Sequence, residues 1–504
     1  MEHFSAPSSL ISFSSTAILG LALLIFALIL DLVKYRRRES GYPPGPSPLP
    51  FVGNVFLLDP KDIPTSLSKL RKRYGNIYSL QLFWEKAVVL NGFETIKEAF
   101  ITKSEDTADR CPIPIFEYLG FHKAFAFAKY GQSWKDLRRF SISTFRDFGM
   151  GKKTIEEPVR EEASYLCTAI QAKEGCPFDP FLLLNQAVSN LNCSIIFGER
   201  YDYSDKAIQK LLFLLQERFH QETGTVSQIL NNFPRLIKIV GPHLNLFKVQ
   251  NAFLDYLKAK IKEHKDTWDP TVTRDYIDAF FEEIEKTKGN PQSSFNETAL
   301  LYTIADLFVA GSETTSNTLR WSILMMLLNP QIQCLDKVHE EIDQVIGRDR
   351  KPRMEDQRNM PYTNAVIHET QRYGNILPMA LFHMTYRDTN IQGYNIPKGT
   401  TIIPNLTSVL KDETIWEHPY QFYPEHFLDS EGKFVKREAF IPFSAGKHMC
   451  AGEALAKMEL FLFFVSLFQH FEFQIPTDQP RPRNDPVFIF SYTPHPFKVC
   501  AIVR

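Results

Sequence analysis

Between Asn296 and Leu328 the chain contains no proline, and Pro330 then closes the run. A stretch of that length with helical periodicity forms one continuous α-helix ended by the proline. At 1.5 Å per residue it is a rod of about 50 Å, long enough to cross a large domain. Asp306, Glu313 and Arg320 lie along it and argue against a membrane span. The expected architecture is therefore a helical domain packed around a rod that runs through its centre. Gly311 sits near the middle, where glycine costs about 1 kcal/mol relative to alanine, so something beside it should compensate.

The chain has 504 residues and is 44% hydrophobic, ample for a large core. Ile77–Leu82 and Ala87–Leu90 read as two short strands around a turn. Asn395–Ile403 holds a turn at Pro397-Lys-Gly and more strand-like residues. The rest has helical periodicity, which gives a mainly α fold with a small β portion in one large catalytic domain over 51–504. Lys+Arg (57) and Asp+Glu (58) nearly cancel, so no global charge points to nucleic acid or an acidic substrate. Most of the 42 phenylalanines must fill the core, with a minority free to line an apolar pocket. The seven cysteines are widely spaced and form no C-x-x-C, which argues against zinc sites and redox pairs. Their low density fits a reducing compartment.

Leu10–Leu30 carries no charge, and Leu32 and Val33 extend the run beyond Asp31. That is enough to cross a hydrocarbon core as a helix, so 1–33 reads as a membrane anchor. Lys34, Arg36, Arg37 and Arg38 follow at once, and only Glu2 is charged before it. The positive-inside rule then leaves the N-terminus in the lumen and the domain in the cytosol. A cleaved signal peptide would need its basic residues ahead of the apolar run. Residues 34–50 combine this basic stop with Pro43-Pro-Gly-Pro-Ser-Pro-Leu-Pro50, a stiff extended hinge.

Phe443-Ser-Ala-Gly-Lys-His-Met-Cys-Ala-Gly452 precedes a helical segment, Glu453–His470. Cys450 thus lies beside a helix N-terminus, where free N–H groups and the helix dipole favour a thiolate and lower its pKa. Gly446 and Gly452 permit turns that other residues resist and let a flat ligand approach closely. A cysteine in a glycine-bearing turn is most often structural; the ten-residue pattern makes that improbable here.

The pattern F-x-x-G-x-[RH]-x-C-x-G resembles the haem-binding loop of the cytochrome P450 superfamily, with Phe443, Gly446, Cys450 and Gly452 all matching. His448 stands where the family usually has an arginine that contacts a haem propionate. Ala310-Gly-Ser-Glu-Thr-Thr315 matches the family's oxygen-binding motif, and Glu369-Thr-Gln-Arg372 its E-x-x-R pair. Phe422-Tyr-Pro-Glu-His-Phe427 is similar to the segment between that pair and the cysteine loop, with His426 replacing the usual arginine. Trp134 and Arg138 match a W-x-x-x-R helix, and the anchor and hinge resemble the microsomal members. In detail the likeness is closest to the vertebrate family 2 group, including fish members.

The resemblance implies roles. Cys450 would be the axial ligand of a haem b (iron-protoporphyrin IX). Arg110, Trp134, Arg138, His383 and His448 would donate to its propionates, and Phe443, Gly452, Ala310 and Gly311 would line it. Glu313 and Thr314 would deliver protons to bound oxygen, and axial thiolate favours O–O cleavage. Glu369, Arg372 and His426 would be structural. Phe116, Phe125, Phe127, Leu307, Phe308, Leu377, Met379 and Phe490 would line an apolar substrate pocket. The basic stretch Lys135, Arg138, Arg139, Arg146, Lys152 and Lys153 would face a flavoprotein reductase, because the chain carries no flavin or NADPH fingerprint of its own.

The expected activity is monooxygenation of a lipophile (fatty acid, steroid or foreign compound) by O₂ at the cytosolic face of the endoplasmic reticulum. Electrons would come from NADPH through the reductase, with cytochrome b5 as a second donor. A reductase-independent isomerase or dehydratase of lipid peroxides is one rival, and a non-catalytic haem protein another. The intact Glu313-Thr314 pair argues against the first, the pocket residues against the second. Cys450→Ser is expected to lose the red-shifted ferrous–CO band; a retained band would refute the ligand assignment.

Overall fold

A computed structural model describes Ile18, Phe26 and residues 41–504 apart from 150–152, 223, 333–336 and 490. The expected anchor, and with it the basic cluster and Phe490, lies outside the described residues except for Ile18 and Phe26. Among the described residues no helix is long and apolar enough to cross a membrane. The proline-rich segment lies against the sheet: the Pro44 carbonyl accepts from Ser79 N at 2.7 Å and that of Pro43 from Ser79 Oγ at 2.9 Å. A Cβ on Gly45 would stand 2.0 Å from the Ser79 carbonyl, so glycine is required at this contact.

The rod is a single helix, Glu297–Leu328. Asn296 caps it, its side chain accepting from Ala299 N at 2.9 Å. The first half packs with the helices Lys206–Glu222, Asn245–Asp266 and Tyr276–Lys286. The second half packs with Lys153–Gln171, Phe181–Phe197 and Glu453–His470. Ala310, between these two cores, is the one exposed residue from Ala299 to Leu327. The compensation for Gly311 comes from packing: a Cβ there would stand 2.5 Å from Asn192 Oδ1. Missing that Cβ, helix Phe181–Phe197 comes close enough for Asn192 Nδ2 to donate to Ser312 Oγ at 3.2 Å. The neighbour that compensates for Gly311 is therefore helix Phe181–Phe197.

Among the described residues the β portion is one five-stranded sheet and three two-stranded ones. The larger runs Ile77–Leu82, Glu85–Asn91, Thr401–Asn405, His383–Met384, Asp109–Arg110. Its last two strands are antiparallel and set Arg110 opposite His383.

Helix Pro361–Gly374 carries Glu369 and Arg372, both fully buried. All five guanidinium N–H groups are used. Two go to Glu369, each at 2.7 Å, and three to the carbonyls of Leu410, Pro419 and Gln421 at 2.8–2.9 Å. Glu369 also accepts from Tyr423 N at 2.8 Å and His426 Nδ1 at 3.2 Å. His426 Nε2 accepts from His418 N at 3.1 Å, which fixes the tautomer with hydrogen on Nδ1. The pair thus fastens residues 410–426 ahead of the cysteine loop. Arg372→Ala would leave Glu369 buried without its cation, at a cost of about 3–5 kcal/mol. Denaturant unfolding of the holoprotein should read that loss; a change near zero would mean the carboxyl finds another partner.

Candidate haem and oxygen site

Residues 443–452 form a loop braced by its own backbone. Cys450 N donates to the Phe443 carbonyl at 3.0 Å, and Met449 N to that of Gly446 at 3.1 Å. Gly446 has φ +76°, and a Cβ there would lie 1.8 Å from the Phe100 carbonyl. Positive φ and close backbone approach both demand glycine. The Cys450 side chain is exposed, yet its surroundings push the thiol above its ordinary pKa. Desolvation is the largest cause, opposed by the Gly452 N–H and the Arg138 charge. With no metal ion present the adjacent helix start does not outweigh it; a metal ion would displace the proton.

The proposed propionate donors form one connected cluster. Arg138 Nη2 donates to the Met449 carbonyl, one residue before the cysteine. Its guanidinium lies 5.6 Å over the Trp134 ring, which meets His448 at 4.7 Å. His448 in turn meets His383 at 5.1 Å. Burial and the nearby Arg110 hold both histidines well below the usual imidazole pKa, hence neutral. His448 Nε2 donates to the Ala108 carbonyl at 2.7 Å and His383 Nδ1 to that of Thr107 at 2.9 Å, so each neutral ring has spent its one N–H and keeps only an acceptor nitrogen, which corrects the expectation that they donate to a propionate. A neutral His448 supplies no charge, unlike the arginine usual at this position. Arg110 spends Nε on the Ala126 carbonyl (3.0 Å) and Nη1 on those of Leu381 and Phe382 (3.0 and 3.1 Å). None of these carbonyl partners has a sequence signature, since every residue offers one.

The central helix joins this cluster through one residue. Ala126 N donates to Asp306 Oδ2 at 3.0 Å, while the Ala126 carbonyl holds Arg110. Asp306, Ala310 and Thr314 follow at i, i+4 and i+8, one face of the helix. Thr314 Oγ1 donates to the Ala310 carbonyl at 2.7 Å. Burial pushes the Glu313 carboxyl up to about 7, partly offset by Arg320. Glu459 of helix Glu453–His470 is buried, pushed up to about 8, and hydrogen-bonds Thr315, tying that helix to the central one.

The expected pocket residues divide. Phe116 meets Phe127 at 4.6 Å, and both join Phe125 in the cluster around the first half of the central helix. Leu307 packs there as well, half-buried. Phe308 is fully buried on Phe197 and Phe253, each at 6.3 Å. It lies roughly 200° round the helix from Asp306, so it is core and not pocket. Met379 packs with Leu67, Leu80 and Val89 beside the sheet, while Leu377 is half-buried.

Do these residues fit a haem? The set suits one: a thiol on a glycine-shaped loop beside the guanidinium groups of Arg110 and Arg138 and the indole N–H of Trp134. Trp134 Nε1 is the sharper test, being buried with no hydrogen-bond partner. Burying such a donor unpaired is costly, and a propionate carboxylate would satisfy it. Trp134→Phe keeps the ring packing and removes the donor. Haem transfer to an apoglobin scavenger should then accelerate about tenfold or more, the size of one charge-assisted hydrogen bond. An unchanged rate would leave the indole without that role.

Residues 43–501 match the family described as cytochrome P450. Cytochrome P450 2D3 of Rattus norvegicus is 52% identical over 485 residues, covering 95% of this chain and 97% of the relative. Cytochrome P450 2D20 of Mesocricetus auratus is 51% identical over the same length and coverage. Cytochrome P450 2D6 of Homo sapiens is 50% identical over 491 residues, 96% of this chain and 98% of the relative. These matches favour oxygen insertion into lipophiles over the peroxide isomerase and the inert haem carrier. With its cysteine loop, E-x-x-R lock and central helix, the chain belongs to the cytochrome P450 family, in the family 2 group, and is a haem-thiolate monooxygenase.

Proposed function

We propose that this chain oxidises lipophilic compounds at the cytosolic face of the endoplasmic reticulum, held there by residues 1–33 as a single span. The cofactor is haem b on Cys450, and electrons come from NADPH through a flavoprotein reductase, with cytochrome b5 as a second donor. One observation carries the site: the unbroken contact path from the Cys450 loop through Trp134, His448, His383, Arg110 and Ala126 to Asp306. It joins the thiol, the propionate donors and the oxygen-binding helix in one constellation.

Bound through Cys450, the haem would supply oxygen binding and an electron-rich iron that favours O–O cleavage. The protein's part is to anchor the propionates, exclude water and hold protons. Phe116, Phe125 and Phe127 supply the apolar wall. Thr314 Oγ1 gives its hydrogen to the Ala310 carbonyl, so its lone pairs face incoming proton donors. Glu313, protonated up to about pH 7, is the nearest acid in the chain. Lys135, Arg139 and Arg146 are exposed on helix Gln132–Asp147, the helix that touches the cysteine loop, and offer an acidic reductase a cationic face. Membrane association is further supported by Trp84, Phe233, Leu236 and Ile239, all exposed. Aromatic and aliphatic side chains of this kind settle into the headgroup boundary.

Thr314→Ala should divert reducing equivalents to hydrogen peroxide, raising peroxide formed per NADPH severalfold; unchanged coupling removes the hydroxyl from proton delivery. A carboxyl raised to about 7 holds its proton below that pH and loses it above. Coupling in the wild type should therefore fall as pH rises through about 7. In Glu313→Gln, which cannot ionise, product per NADPH should vary little over the same range. Parallel pH profiles would show that another group controls delivery.

A further inference from the structure

Spacing along the chain argues against a redox pair among the cysteines, but the fold brings two of them to one edge. Phe178 and Val499 form an antiparallel bridge and exchange N–H···O bonds at 3.0 and 2.9 Å. Cys176 stands two residues before Phe178, and Cys500 one residue after Val499. Pro177 has no N–H to give, so the pairing stops at Phe178. On the other side of Cys176 the chain still follows the strand: a Cβ on Gly175 would touch Ile502 Cδ1 at 3.5 Å. The contacts of Phe178 with Val499 and of Gly175 with Ile502 therefore bracket the two cysteines.

Their faces agree as well. Along the strand Cys500–Val503, Ala501 is buried, Cys500 is half-buried and Ile502 is exposed. Alternation puts the Cys500 thiol and the Ile502 side chain on the same outer face. The turn that carries Gly175 crosses that face at Ile502, and Cys176 on it is exposed. Cys176 N donates to the Lys173 carbonyl at 2.8 Å, which holds the turn closed. Diagonal neighbours in an antiparallel pair are about 6 Å apart, Cα to Cα. A disulfide spans about 4.4–6.8 Å between the same atoms. Burial first, then the charges of Asp478 and of Cys176, hold the Cys500 thiol above its ordinary pKa, so the two sulfurs are within electrostatic reach of each other.

We propose that Cys176 and Cys500 are a peroxide-responsive thiol pair that closes a reversible disulfide between this turn and the C-terminal strand. Cys176, the more exposed, reacts first. Its sulfur takes one oxygen atom from hydrogen peroxide and becomes a sulfenic acid as water leaves. The Cys500 sulfur then attacks it, the S–S bond forms, and that oxygen departs as a second water. The two thiols together give up two electrons and two protons, and the peroxide O–O bond is what is reduced. Uncoupled turnover releases this oxidant, so its source, though not the chemistry of the pair, rests on the monooxygenase reading above. Once closed, the bond fastens the turn after helix Lys153–Gln171 to the strand paired with Phe471–Gln474, which follows helix Glu453–His470. Cys167 and Cys193 are buried, and Cys450 is reserved for the iron, so none of the three competes.

The test uses the full-length haem-loaded protein in lipid nanodiscs, treated with hydrogen peroxide and then quenched with catalase and an alkylating reagent. Peptide mapping without reductant should show the Cys176 and Cys500 peptides joined as the principal cross-link, with loss of both alkylated forms. Dithiothreitol should release them. Cys500→Ser should leave Cys176 as a sulfenic acid that dimedone traps, and Cys176→Ser should leave Cys500 alkylated as in untreated protein. If a variant loses its ferrous–CO band, the wild-type map decides alone. Both cysteines left free by peroxide, or either one oxidised without joining the other, overturns the pair. Because the peroxide is added, the result does not depend on turnover. A link in protein that oxidises no lipophile with NADPH supports the pair and sinks the monooxygenase reading; no link in an active enzyme sinks the pair alone.

Discussion

A helix of 32 residues cannot be buried end to end unless its neighbours change along the way, and here they do. Its first half packs with Lys206–Glu222, Asn245–Asp266 and Tyr276–Lys286, its second with Lys153–Gln171 and Glu453–His470, and Phe181–Phe197 runs along both. Where the two cores meet, the helix switches from bulky apolar residues to Ala310-Gly-Ser-Glu-Thr-Thr315. At the seam Ala310 alone is exposed, while Gly311 and Ser312 are closed off by helix Phe181–Phe197. The rest of the fold keeps the seam in place. Asn192 pins Ser312 from one side, Glu459 reaches Thr315 from another, and Asp306 reaches the Arg110 cluster through Ala126.

The cysteine loop depends on backbone polar groups more than on side-chain packing. Arg138, His448 and Cys450 N all use carbonyls, and Gly446 is forced by one. Behind the loop, Arg372 draws three carbonyls of residues 410–421 onto its buried ion pair with Glu369. A buried ion pair is a poor source of net stability, but once formed it tolerates no missing partner. It therefore fixes a position more than it strengthens a fold. His426 adds to that arrangement through its Nδ1–H on Glu369 and its Nε2 on the His418 N–H.

What was legible in the sequence had a local cause. Proline and periodicity marked the central helix within one residue, since Asn296 proved to be its cap. The helix Glu453–His470 and the strands at 77–91 followed from spacing and residue type. The motif residues around Cys450, Glu369 and Trp134 carried the family likeness. What was illegible needed a distant partner. The reason for Gly311 lies on another helix, at Asn192. Phe308 could be assigned to core only once Phe197 and Phe253 were seen on its side. Ala108 and Ala126 gave no signal, because they act through the backbone that all residues share.

Ala126 has a consequence of its own. Its N–H and its carbonyl serve two masters, a carboxylate on the oxygen-binding helix and a guanidinium in the propionate cluster. Both bonds belong to the segment that carries Phe125 and Phe127 into the core. A displacement of that segment must strain both bonds together, so the central helix and the Arg110 cluster cannot shift independently of it.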